Sequence, residues 1–421
     1  MNPRIKELID YAKSKFRLDN YYLKTHSFDR NVNIFNDTLY TLCMEWFPNH
    51  VLEQEDGSNP EGTAVICIDV KSRKFKSVIF VRGKSYADDE AFSNLHKNDI
   101  IKWIEQETGL AYCRQFQLEK EEKGRLFFKE CIDGAAVSPS GSIEIEFDQE
   151  EKLTFFSVHG QFPSKEKVKE ETYSLSLEMV EHLAKEQLKL IEFPSFKQKR
   201  LFPVYAVEEI YVMNDQTSTI PFEPIVDIKS LLKIDQTIQW DTPLNKPFDR
   251  KEINLIEDVT AEQAFSYEPS PESFPITKVE QEKCVMAVRD FLRQEFPNDT
   301  GKWILKTLHR ENGFIHATLR AINQDIRVFQ RKLLVMIDAQ SIQVLNYMDN
   351  KLMWELFDQF QAPEKVTINK EEAYEKLKEL YELTPIYVYD FKQKQYVLCG
   401  KLDCQYGVDA GKGDVITLDD L

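Results

Sequence analysis

Two histidines, His309 and His316, stand on either side of Asn312-Gly313 in the stretch TLHRENGFIHATL. An Asn-Gly pair favours a two-residue hairpin turn, because both residues accept the positive φ that such a turn requires. The turn would pair Glu311 with Phe314, Arg310 with Ile315, and His309 with His316. Directly opposed residues have Cβ atoms about 4.5–5.5 Å apart, close enough for two imidazoles to share one metal ion, and Glu311 falls on their face. The chemistry this set would support is that of a metal-dependent hydrolase using His309, His316 and Glu311. The plainer alternative is an exposed or interface polar pair, since a metal centre needs further ligands and an ordered outer shell. Ile304, Leu308, Ile315, Ala317 and Leu319 are assigned to the opposite, core-facing side. That leaves the histidines on the wetter surface.

Other reactive residue types do not assemble into a catalytic set. His182 and Glu186 lie one helical turn apart, a spacing usual for a solvated side-chain contact. Residues 407–413, GVDAGKG, carry glycines and a lysine without the spacing, the following Ser or Thr, or the helix of a phosphate loop. Ser138-Pro139-Ser140-Gly141 lacks the strand-to-helix elbow of a nucleophilic serine. Asp69, Asp148, Asp338 and Asp409 each end an apolar strand, with an apolar residue returning five or six positions later (Phe75, Leu153, Val344 and Val415 in turn). An aspartate in that position hydrogen-bonds its own turn. The acidic loop LEQEDGSNPEG does not follow the alternating ligand spacing of a calcium loop. No catalytic residue and no cofactor site is therefore read from the sequence.

Bulk properties narrow the classes further. The 54 basic against 71 acidic side chains give a net charge of −17, which repels a phosphate backbone or an anionic bilayer and excludes nucleic acid as the expected partner. The segment MNPRIKELIDYAKSKF is amphipathic and lacks the apolar core of a signal peptide. No run approaches the roughly 18 apolar residues of a membrane span. A cytoplasmic location is expected, with the seven cysteines, which form no Cys-x-x-Cys pair, reduced and mostly packed.

The elements that position these residues recur along the chain. Residues 1–86 read as a helix followed by two hairpins, the first turning at Asn36-Asp37. Residues 98–213 open with a helix ended by Gly109 and continue through strands around Lys123-Gly124, then Ile143, Ile145 and Phe147 in alternation. A shortened version follows, its helix marked by Leu177, Val180, Leu183, Ala184 and Leu188. Residues 214–275 are broken by seven prolines and read as a linker. Residues 277–421 repeat the scheme, beginning with the capping sequence Thr277-x-x-Glu280 and, at Asn369-x-x-Glu372, a second shortened version. The expected fold class is α+β, built of repeated units of one helix packed on a small antiparallel sheet.

Ile132-Asp133-Gly134 with Val137 and Asp148, Ile322-Asn323 with Asp338-Ala339, and Lys370-Glu371-Glu372-Ala373 leading to Val408-Asp409-Ala410-Gly411 together resemble the YcdB/YcdC repeat family, which is similar to PepSY-type, cystatin-like domains. The resemblance implies that helix-plus-sheet fold, an uncharacterised function and, by analogy with PepSY-type relatives, binding or restraint of peptidases. The function expected on these grounds is non-enzymatic binding of a protein or peptide through sheet edges or grooves between copies, with the metal-dependent hydrolase as the alternative.

Overall fold

In the computed structural model, residues 2–51, 57–88, 96–216, 218–221, 231–244, 246–255, 258–322 and 326–420 are described. Residues 52–56 of the acidic loop, Pro224 and residues 323–325 lie outside them. The fold is α+β, with antiparallel pairing dominant. Contacts divide the chain into one unit of Met1–Glu170, Glu257–Ser273 and Ile386–Val397, and a second of Glu171–Ile256, Phe274–Pro385 and Leu398–Leu421.

The first unit begins with helix α1 (Pro3–Lys15), started by the Asn2 side chain accepting the Arg4 N–H. Its buried stripe is Ile5, Leu8, Ile9 and Ala12, the spacing of one helical face. Strands β1 (Tyr21–Val32), β2 (Thr38–Pro48), β3 (Ala64–Asp69) and β4 (Phe75–Phe80) follow as an antiparallel meander. Helix α2 (Lys97–Thr108) ends at Gly109, whose φ of 75° is the left-handed cap the glycine was expected to supply. After it come β5 (Phe116–Glu122), β6 (Arg125–Ile132), β7 (Ala135–Ser138), β8 (Ser142–Phe147) and β9 (Leu153–His159). The strands pair in the order β1-β2-β3-β4-β9-β8-β6, with β5 on β6. One core joins the α1 and α2 stripes to Leu42, Met44, Ile66, Ile68, Phe128, Ile143, Ile145 and Phe156.

In the second unit, helix α3 (Leu177–Gln187) runs directly into β10 (Leu188–Ser195), then β11 (Arg200–Val207), β12 (Ile210–Met213), β13 (Thr219–Pro221) and β14 (Leu232–Ile238). Leu188 is thus the first residue of a strand and not the last of the helical stripe. No glycine or proline separates the two elements, so helical spacing ran on past the true boundary. The stretch read as a linker contributes β13, β14 and a short helix, α4 (Ala261–Ser266), whose Ala264 joins the core of the first unit and whose Phe265 meets Phe28 edge-on at 5.7 Å.

Helix α5 (Lys278–Glu295) starts with the expected capping box, Thr277 accepting the Glu280 N–H and Glu280 reaching back to Thr277. It buries Cys284, Val288, Phe291 and Leu292 in one core with the sheet β14, β15 (Trp303–Glu311), β16 (Phe314–Ala321), β17 (Lys332–Asp338) and β18 (Val344–Asp349). Helix α6 (Lys351–Asp358) and helix α7 (Lys370–Leu377), the latter with its own Asn369–Glu372 capping box, precede β19 (Glu382–Asp390), β20 (Gln395–Asp403), β21 (Tyr406–Asp409) and β22 (Val415–Thr417). A second sheet in this unit runs β10-β11-β21-β22.

The four strand-ending aspartates behave alike. Asp69 Oδ1 accepts the Ser72 N–H at 2.6 Å, Asp148 the Glu150 N–H at 2.8 Å, Asp338 the Ser341 N–H at 2.7 Å, and Asp409 the Gly411 N–H at 2.8 Å. In each case the aspartate's own N–H donates to a carbonyl four or five residues on, that of Lys74, Lys152, Gln343 or Asp414.

The expectation that all seven cysteines are reduced is overturned for one pair. Cys43 and Cys67 face each other across β2 and β3 and form a disulfide, so they are not reduced thiols. Cys131, Cys284, Cys399 and Cys404 are buried thiols outside that disulfide, and Cys113 is an exposed one.

Candidate functional site

The hairpin β15–β16 forms as its turn sequence requires. Asn312 and Gly313 have φ of 48° and 78°, and His309 pairs with His316, Arg310 with Ile315, and Glu311 with Phe314. Glu311 Oε2 lies 3.4 Å from His309 Nε2 and 3.7 Å from His316 Nδ1, and the imidazole centroids are 5.0 Å apart. One donor atom from each of the three residues can be chosen so that all lie within 4.8 Å of one another.

Arg310, on the other face, donates to Glu280 Oε1 at 2.6 Å and to the Phe274 carbonyl at 3.1 Å, tying the hairpin to the start of α5. Burial raises the Glu280 pKa, but the Thr277 amide and the Arg310 guanidinium outweigh it and hold the carboxyl down at about 2.

Two features of this hairpin differ from the expectations of strict alternation and of histidines on a wet face. A bulge between Leu305 and Thr307 reverses the parity of β15, so Trp303, Leu305 and Leu308 fill the core whereas Ile304 is only half-buried. His316 is 6% exposed, so its side of the hairpin is drier than a solvent face.

The other sequence candidates stay apart from this site. His182 and Glu186 are both exposed on α3, where Glu181 instead pairs with Lys185 at 2.8 Å. Residues 407–413 run from β21 into its turn toward β22, and Ser138-Pro139-Ser140-Gly141 links β7 to β8.

Two features escaped the sequence reading. The first is Glu130, 1% exposed in β6. Its carboxylate accepts backbone N–H groups from Gly141 at 2.8 Å, Phe162 at 2.7 Å and Gln161 at 3.4 Å. Burial nevertheless dominates these three donors and pushes the carboxyl up to about 7. A side chain at Gly141 would collide with Glu130 Oε2 and the His159 carbonyl, so glycine there lets the backbone close over the acid. The signal was present in alternation, because Glu130 follows Leu126 and Phe128 on the buried side of β6.

The second is an apolar surface around α6. Leu352 is 81% exposed and Phe196 62%, and Met348, Met353, Leu356, Val328 and Phe329 are also exposed. Buried Phe357 packs against the aromatic members, with ring centroids 5.6 Å from Phe196 and 5.0 Å from Phe329, and 5.4 Å from Phe360. Arg331 holds the start of α6 by pairing with Asp349 at 2.7 Å and Asn350 at 3.2 Å. The signal here was the run LMWELF, which has more large apolar residues than one buried stripe can use.

Among the described residues no helix is long and apolar enough to cross a membrane. No family model matches the chain, and no curated protein does. Among solved structures the chain is matched to the Bacillus megaterium YpeB C-terminal domain, at 9% identity and a TM-score of 0.23, over 82% of this chain and 96% of that one. A score that low carries no argument about this chain.

Proposed function

We propose that this chain is a non-enzymatic binder of a protein or peptide, and that the apolar surface around α6 is its contact face. The observation that carries the reading is the concentration there of large exposed side chains, Leu352, Met353, Leu356, Phe196 and Phe329. Contiguous apolar surface of this kind is uncommon on a monomer and marks an interaction face. Two sheet edges in this unit, those of β18 and β10, are weaker candidates. The outer edge of β18 is taken by Lys251, whose N–H donates to the Leu345 carbonyl and whose carbonyl accepts from Asn346. β10 exchanges backbone hydrogen bonds with Ile326 and Val328 through Glu192. Both devices blunt edge pairing. The partner that fits is one presenting large aliphatic or aromatic side chains.

We also infer that α1–β4, α2 with β5, β6, β8 and β9, and α5 with β15–β18 are copies of one helix-plus-four-strand unit of the PepSY-like kind. The last hairpin of each is closed by the same aspartate turn, at Asp69, Asp148 and Asp338.

The test places a photo-crosslinking residue at Leu352 in the full chain inside cells, then measures binding of the purified captured partner. Replacing Met353 and Leu356 by Glu should cost about 2 kcal/mol or more in affinity, as for central apolar contacts, with circular dichroism unchanged. Unaltered affinity in that variant, or a crosslinker that captures nothing, would sink the reading.

A further inference from the structure

We propose that His309, Glu311 and His316 form a binding site for a single divalent transition-metal ion of the zinc class. Two imidazoles and one carboxylate suit zinc, cobalt, nickel or copper, whereas calcium and magnesium take oxygen ligands.

The distances are those of a site needing little rearrangement. Ligands about 2.0–2.2 Å from a tetrahedral ion sit roughly 3.3–3.6 Å from one another. Glu311 Oε2 is already 3.4 Å from His309 Nε2 and 3.7 Å from His316 Nδ1. All three donors fall within 4.8 Å of one another, and binding requires side-chain rotation to bring the imidazole nitrogens to ligand spacing.

The scaffold is rigid. Both histidines lie on paired strands inside a five-stranded sheet, the register is set by the Asn312-Gly313 turn, and Arg310 fastens the hairpin to α5. The side chains are also shielded, with 15%, 27% and 7% exposure for His309, Glu311 and His316, so water competes less for the ion than at an open surface. On the neighbouring strand Met336 is the register partner of His316, which puts a polarisable thioether on the same face. Three protein ligands leave the fourth position of a tetrahedral ion for water or a substrate group.

The experiment titrates the metal-free full chain with Co²⁺ and reads the visible ligand-field bands, then displaces the ion with Zn²⁺. One equivalent should bind with the absorption of a four-coordinate centre. His309→Gln, Glu311→Gln and His316→Gln should each weaken binding by about tenfold or more, and the exposed control His182→Gln should bind as the native chain does. Circular dichroism identifies a variant that fails to fold; should His316→Gln do so, the other two carry the result. Absence of stoichiometric binding, or affinities unchanged in the folded ligand variants, overturns the proposal. Loss of binding in His182→Gln equal to that in the ligand variants overturns it as well.

Discussion

Glu130→Gln should change the pH dependence of stability in a direction the structure fixes. Burial raises the folded-state pKa from 4.5 to about 7. A carboxyl raised on folding contributes most below its unfolded pKa, and that contribution is lost as pH rises through the folded value. The full difference of about 2.5 pH units corresponds to about 3 kcal/mol. Of this, about 1.4 kcal/mol falls between pH 6 and pH 8.5 by the same linkage, a range that keeps an acidic chain well charged. Urea unfolding at both pH values, in the native chain and in Glu130→Gln, isolates the contribution of this carboxyl. The native chain should lose about 1.4 kcal/mol more than the variant over that interval. The absolute stability of the variant is not the readout, because its amide nitrogen faces backbone donors that the carboxylate accepts. Parallel pH profiles would refute the argument, since they would mean that the three backbone N–H groups offset desolvation. A second check is the ¹³C shift of the Glu130 carboxyl, expected to titrate near 7.

Two further outcomes follow from the fold. Replacing Cys43 and Cys67 by Ser opens a cross-link spanning a sequence separation of 24, which by unfolded-chain entropy costs about 3.5 kcal/mol; chemical denaturation of the double variant measures it, and non-reducing peptide mapping of the native chain must show the linked pair. Asp338→Ala removes the acceptor for both the Ser341 N–H and its hydroxyl, so stability should fall by about 1–2 kcal/mol. Asp338→Asn, which keeps an acceptor oxygen, should retain most of it, with exchange of the Ser341 amide as the local readout.

Local signals were legible in the sequence and non-local ones were not. Capping boxes at Thr277 and Asn369, the glycine cap at Gly109 and the Asn312-Gly313 turn are each decided within a few residues, so side-chain chemistry alone specifies them. The pairing of His309 with His316 was readable for the same reason, only two residues separating the strands. The bulge near Lys306 was not, because it depends on how β14 and β16 grip β15 from both sides. Nor was the disulfide, which requires the register of β2 on β3 across a long intervening loop. Glu130 was not singled out, because its partners are backbone amides of Gly141, Gln161 and Phe162 on distant stretches, although its place in the alternation put it inside.

The aspartate turns bear on how the chain acquires its structure as it is made. Each is closed over four or five residues, so its loop-closure entropy is small, and hairpins of this kind form in about 1–10 μs. Synthesis adds about 5–20 residues per second, far slower. The hairpin clamped by Asp69 can therefore assemble long before Ser157 exists to pair with Ser77 and join β4 to β9. Each carboxylate therefore closes its hairpin with partners already beside it in the chain, whereas the joining of β4 to β9 waits for a strand 80 residues further on, from Ser77 to Ser157.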